Sequence, residues 1–224
     1  MKKRILIVLG ILFFLLMTIS GYQLIVWNME NKEVKKIIST VSDYVTIDGD
    51  DYNLQDDLYE MNSDMIGWLK VEHTNIDYPV VQGNNNSYYL NHDFYKNKNS
   101  AGWIFMDSNN TLDDQNIVIY GHHRRDGSMF GTVDNFFKNH DDGKILLVIN
   151  GENRYYQVFS VYKTSANDYY TSKNFDDFDK TLEEFNNRSI YDYKKDLSNV
   201  EQIITLSTCS NDNKGRLVIH AYKL

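Results

Sequence analysis

Ile203-Ile204-Thr205-Leu206-Ser207-Thr208-Cys209 is a run of β-branched and apolar residues broken only by small hydroxyl side chains, and it ends on the single cysteine of the chain. Successive side chains of a strand point to opposite faces. Thr205, Ser207 and Cys209 therefore share one face, and Ile204, Leu206 and Thr208 the other. The thiol falls at the tip of a buried strand, just before the polar loop 210–215. Beyond that loop Arg216 opens a second alternating run, with Leu217, Ile219 and Ala221 on its apolar face. Working outward, similar short runs occur at 68–71, 76–81, 103–106, 116–120, 144–149 and 155–163, punctuated by clusters such as Gly83-Asn84-Asn85-Asn86 and Asn150-Gly151. Two inserts, 129–139 and 175–188, read as helices; in the second, Phe178, Leu182 and Phe185 recur on one face. Eight short strands and few long helices predict a mainly β, closed or nearly closed antiparallel barrel. No internal repeat or second domain is visible.

A second stretch, Asn116-Ile117-Val118-Ile119-Tyr120-Gly121-His122-His123, delivers a histidine at a strand end. Gly121 leaves room for another backbone to approach beside His122. Taken alone, a His-His pair before Arg124 and Arg125 reads as a polar surface turn. A zinc site is disfavoured, because adjacent histidines diverge and no metal-ligand spacing accompanies them. Arg216 by itself reads as a surface arginine, and Cys209 by itself as a small buried hydrophobe. Together they make a chemical set. A thiolate is the reactive form of cysteine, a nearby imidazolium and guanidinium favour it, and an arginine can act only as donor and charge stabiliser.

The composition sets the surroundings of that set. Of the 224 residues 42% are hydrophobic and 24% charged, which fits a folded domain, and a 14% aromatic share suits pleated surfaces. The formal net charge is −8 although Lys2, Lys3 and Arg4 are basic, so nucleic acid is a poor partner. After those cations, residues 5–29 carry no charge until Glu30, which is long enough to span a bilayer. The preceding cations place the remainder outside the cell. A cleaved signal peptide is the competing reading, but apolar residues continue through Trp27, past the usual length of such a region. The expected organisation is a cytoplasmic segment 1–4, a signal-anchor 5–27, a helical stalk 28–63 and a catalytic domain 64–224. Within the stalk, 30–42 and 53–63 read as helices and 43–51 as an acidic connector. One cysteine forms no internal disulfide, so the thiol is a partner for another chain, inert, or reactive.

Gly121-His122 at a strand end, Thr205-Leu206-Ser207-Thr208-Cys209, and Arg216 opening the next strand resemble the sortase family, in the same chain order. Tyr78-Pro79-Val80-Val81-Gln82-Gly83, Tyr89-Leu90-Asn91, Ile104-Phe105-Met106-Asp107, Ser128-Met129-Phe130 and Tyr162-Lys163-Thr164 are similar to class B sortases in particular, over roughly residue 64 to the C-terminus. The helix inserted before the cysteine strand also fits that class. The resemblance implies an eight-stranded barrel and a cell-surface cysteine transpeptidase. In that chemistry Cys209 attacks the Thr carbonyl of a C-terminal sorting motif, His122 is the acid/base and Arg216 holds the oxyanion or substrate carbonyl. A peptidoglycan or lipid-linked precursor amine then resolves the thioacyl-enzyme. It implies a peptide groove at Asn86, Leu90, Tyr120, Tyr170 and Ser207, no metal and no cofactor. Sorting-motif-bearing surface proteins are the implied partners. Ser210 stands where other class B members often carry an acidic residue. The rival readings are a papain-like cell-wall amidase, which would place Cys before His, a pilin-polymerising sortase, and a tethered binding module without catalysis.

Overall fold

In a computed structural model the described residues are 2–209 and 215–224, with the backbone alone for Lys2 and Cys209. A helix α1 (Lys2–Ser42) leads into a hairpin of β1 (Val45–Asp48) and β2 (Asp51–Leu54) and a short α2 (Asp57–Met61). The barrel strands follow: β3 (Met65–Val71), β4 (Asp77–Val81), β5 (Phe105–Met106), β6 (Asn116–Tyr120), β7 (Lys144–Ile149), β8 (Glu152–Thr164), β9 (Ile203–Cys209) and β10 (Arg216–Lys223). Between β6 and β7 lies α3 (Asp134–Asn139), and between β8 and β9 lies α4 (Phe178–Arg188). Neighbour order is β10-β8-β7-β3-β4-β5-β6-β9, closed by the β9–β10 pair, so all eight expected strands are present and the sheet has no free edge.

The barrel is mixed, where an antiparallel one was expected. β4 pairs parallel with β5, and β6 parallel with β9. Parallel neighbours need a long crossover. Between β6 and β9 the chain forms α3, the β7–β8 hairpin and α4 before it returns, a route that strand patterning alone does not reveal.

The core is built from apolar residues of these strands and their flanks, among them Trp68, Leu69, Val80, Trp103, Ile117, Ile119, Leu147, Leu206 and Ile219. A second cluster packs α4 on the outside: Leu182 and Phe185 bury against Phe159, Tyr162, Ile203 and Val218. The Asp177 carboxylate caps α4 by accepting from the Lys180 amide at 3.0 Å.

Four expectations about local structure are corrected. The helix expected at 30–42 is the last third of a single helix, since no Pro or Gly between Tyr22 and Ser42 interrupts it. The connector 43–51 and the helix 53–63 give way to the β1–β2 hairpin and the short α2. Tertiary bonds override the helical spacing there: the Tyr52 amide donates to Asn153 Oδ1 at 2.9 Å, and Asn153 Nδ2 returns a bond to the Tyr52 carbonyl at 3.2 Å. The helix expected at 129–139 starts only at Asp134, because Met129 has φ +51°, outside the helical region.

Gly67 sits where β3 is flanked on both sides, opposite Val80 and Ile149. A Cβ there would lie 2.2 Å from the Val148 carbonyl oxygen. Gly67→Ala is expected to lower stability by about 1–3 kcal/mol, as overpacking against backbone does, read as a lowered denaturant midpoint at unchanged slope.

Candidate active site

Three neighbouring strands set the site. The parallel β6–β9 register places Tyr120 opposite Ser207, and the Gly121 amide continues it by donating to the Ser207 carbonyl at 3.3 Å. The β9–β10 register places Cys209 opposite Arg216. His122, Cys209 and Arg216 thus belong to one end of adjacent strands. The backbone of Cys209 closes β9, while its thiol and residue 210 lie outside the described atoms.

Gly121 is required for packing. A Cβ there would meet Phe130 Cγ at 2.8 Å and Ile104 Cγ2 at 3.0 Å, so only glycine lets the strand end pass between them. The two histidines then part. His123 Nε2 lies 3.1 Å from Asp134 Oδ1, which ties it to α3. His122 Nε2 lies 2.7 Å from the Leu90 carbonyl, to which it can only donate. In the neutral ring this leaves the lone pair on Nδ1. Gly102 leaves room beside that same edge of the ring, since a Cβ there would stand 2.9 Å from both His122 Cδ2 and the Leu90 carbonyl oxygen.

The expected groove residues fall into two sets with different surroundings. Leu90 is 41% exposed and offers an apolar surface beside His122. Asn86 and Tyr120 meet on Asp107: Asn86 Nδ2 donates to Asp107 Oδ2 at 2.7 Å, the Tyr120 hydroxyl donates to the same oxygen at 3.0 Å, and the Ser108 amide donates to Asn86 Oδ1 at 2.7 Å. Burial, and then the Asp107 charge, raise the Tyr120 phenol pKa, so it stays a neutral donor. Ser207 and Tyr170 are 2% and 1% exposed and bond to each other at 2.9 Å. They back the wall behind its surface.

Behind them runs a buried polar chain. Asn116 Nδ2 donates to the carbonyls of Tyr170 and Ser172 at 3.0 and 2.9 Å, and its Oδ1 accepts from the Thr205 hydroxyl at 2.6 Å. With that proton committed, Thr205 accepts from His220 Nδ1 at 2.8 Å, and His220 Nε2 accepts from the Tyr162 hydroxyl at 2.8 Å. His220 is thus the neutral Nδ1–H tautomer, stacked on Phe185 at 4.2 Å. Arg188, at the end of α4, bonds to Asp168 and to Thr164 Oγ1, and its guanidinium lies 4.3 Å from the Tyr162 ring centroid. Burial pushes the Asp168 carboxyl up, but hydrogen bonds from Arg188 and Thr164 outweigh it and hold the group below the usual range. Asp107 and His220 were not singled out from sequence. Asp107 follows β5 in a turn, and His220 falls on the face of β10 opposite Leu217, Ile219 and Ala221, which alternation reads as the outer one until α4 covers it.

Burial, with Arg188 adding to it, pushes the His220 pKa from 6.5 down to about 3. Between those values only the unfolded chain binds the proton, so stability rises with pH across the window and is lost as pH falls below 6.5. Wild-type stability is expected to drop between pH 6.5 and about 4, above most carboxylate titration. His220→Gln should flatten that slope, as read by chemical denaturation at each pH.

A sortase domain model matches residues 69–224. The chain is 34% identical to Sortase B of Listeria monocytogenes, over 97% of this chain and 94% of that protein. Among solved structures, sortase B of Clostridium perfringens is 36% identical with a TM-score of 0.68, covering 75% of this chain and 98% of that one. Sortase B of Bacillus anthracis in complex with AAEK1 is 29% identical with a TM-score of 0.77, over 88% and 98% of the two chains.

Proposed function

The chain belongs to the sortase family of transpeptidases, and we propose that it cuts a C-terminal sorting motif after Thr at Cys209 and passes the acyl group to a peptidoglycan or precursor amine. The observation that carries this reading is the pair of registers that bring β6, β9 and β10 to one end with His122, Cys209 and Arg216 on them.

The thiolate of Cys209 adds to the Thr carbonyl carbon, and the carbonyl oxygen takes the negative charge. Arg216, which cannot give up its proton, stabilises that oxyanion. Collapse of the adduct breaks the peptide C–N bond, and a protonated His122 gives its proton to the departing amine. The incoming amine then adds to the thioacyl carbon, loses a proton to His122 and expels the thiolate. With Nε2–H held on the Leu90 carbonyl, Nδ1 is the nitrogen of His122 that exchanges these protons. Leu90 and the face made by Asn86 and Tyr120 line the peptide groove, and Ser207 and Tyr170 support it from behind.

The N-terminal half of α1 fits a membrane anchor. From Ile5 to Met29 its large apolar side chains are exposed, which hydrocarbon tolerates and water does not. The anchor holds the barrel at the outer face of the cell membrane, where sorting-motif proteins and lipid-linked wall precursors meet it.

The test is cleavage of a sorting-type peptide by the full chain in detergent, with and without an added amine such as triglycine. Wild type is expected to give a ligated product with the amine and a Cys209-linked acyl adduct by mass without it. Cys209→Ala should abolish both while retaining the fold. His122→Ala and Arg216→Ala should each lower kcat/KM by about 10²–10⁴-fold, with Arg216→Lys recovering little of the loss. Hydrolysis alone, at every amine concentration, would remove the transpeptidase assignment.

A further inference from the structure

The barrel is fastened to α1 within one turn of the end of the apolar run. Asn31 Oδ1 accepts from Arg124 Nη2, and Glu30 accepts from the Ser100 hydroxyl. Val34, Ile37 and Val41 then bury against the domain at 1% exposure or less. Asn31 is four residues past Trp27, about 6 Å along a helix. Trp side chains favour the membrane–water boundary, so no stalk separates the bilayer surface from the loop that carries His122.

A cleft of about 490 Å³ opens at this junction, between Leu24 and Trp27 on the helix and His122, His123, Arg124 and Arg125 on the loop. Its two walls differ in kind. The helix wall is apolar, with Leu24 62% and Trp27 42% exposed. The loop wall is cationic and polar, and no carboxylate lines the cleft itself. Arg124 is held by Asp126, Ser128 and Asn31, and His123 by Asp134, whereas Arg125 is exposed at the mouth. An apolar wall at acyl-chain depth beside a guanidinium at headgroup depth matches an amphiphile with an anionic head. A zwitterionic head would bring its own cation toward the Arg124–Arg125 side.

We propose that this cleft binds an anionic phospholipid of the phosphatidylglycerol class, with acyl chain along Leu24 and Trp27 and phosphate on Arg125. The proposal rests on the anchor reading above. A seated lipid ties the His122 loop to the plane of the membrane, with Leu90 on the far side of His122 Nε2. The peptide groove then opens along the bilayer surface.

Trp27 provides the signal for a test, because Trp68 and Trp103 are both buried at 1% exposure. The full chain in neutral detergent is titrated with short-chain phosphatidylglycerol or phosphatidylcholine, and tryptophan emission is followed. Phosphatidylglycerol is expected to give a saturable change that phosphatidylcholine does not. Trp27→Phe should remove the change. Arg125→Gln should weaken the apparent affinity about fivefold, equivalent to about 1 kcal/mol for one cation near an anionic surface, with peptide cleavage in detergent unaltered. Equal responses to the two lipids, or an Arg125→Gln curve superimposed on wild type, would overturn the proposal. Flotation of the full chain with phosphatidylcholine vesicles separates the two readings. A chain that fails to float overturns the anchor and the cleft together, whereas one that floats but shows no lipid preference overturns the cleft alone.

Discussion

The parallel pairing of β6 with β9 is the constraint on which the remainder of the site depends. It joins the strand that leads into Gly121-His122 to the strand that ends at Cys209, and these are far apart in sequence. Its register, Tyr120 opposite Ser207, is held from outside the ladder as well as within it. The Gly121 amide extends the pairing by one bond, and Asn116 at the other end bonds to Thr205 on β9. A slip of one residue would turn every side chain of β9 to the opposite face, carrying Thr205 and Ser207 into the apolar cluster and Ile204 and Leu206 onto the polar groups that now bond to Thr205 and Ser207. The β9–β10 hairpin then needs only local pairing to bring Arg216 opposite Cys209.

The buried polar chain behind β9 gives this register its specificity. An unpaired polar group in a core is costly, whereas a fully paired one admits few alternative arrangements. In the chain Tyr162–His220–Thr205–Asn116, each proton has a single assignment once Thr205 donates to Asn116. Asn116 carries the constraint to the backbone of Tyr170 and Ser172, and Tyr170 returns it to Ser207, two residues before Cys209. The insert that contains α4 is therefore more than a cover for the barrel. Through Arg188 and Asp168 it fastens the segment that backs the groove.

The unbroken α1 adds a constraint of another kind. A helix joined to the barrel through a flexible connector would leave the barrel free to tumble. Here the contacts of Glu30 and Asn31 and the burial of Val34, Ile37 and Val41 lock the domain to the helix at its first turn beyond the apolar run. The orientation of the barrel relative to the helix axis is thereby fixed.

Much of this was determined by the sequence by itself. Short β-branched and apolar runs between turn clusters mark all eight barrel strands, and the 25-residue uncharged run marks the apolar helix, because both are local patterns that burial imposes directly. The motifs around His122, Cys209 and Arg216 were legible for the same reason, each lying within one strand end. Only the tertiary structure decided that two of the pairings are parallel, that Tyr52 and the residues after it leave helical spacing as Tyr52 meets Asn153, and that Asn86 and Tyr120 share a carboxylate at Asp107. It also decided that His220 is a neutral, fully paired core group rather than a surface histidine. Those outcomes depend on which distant residues come into contact, and a one-dimensional pattern carries the period of a strand but not the identity of its neighbour.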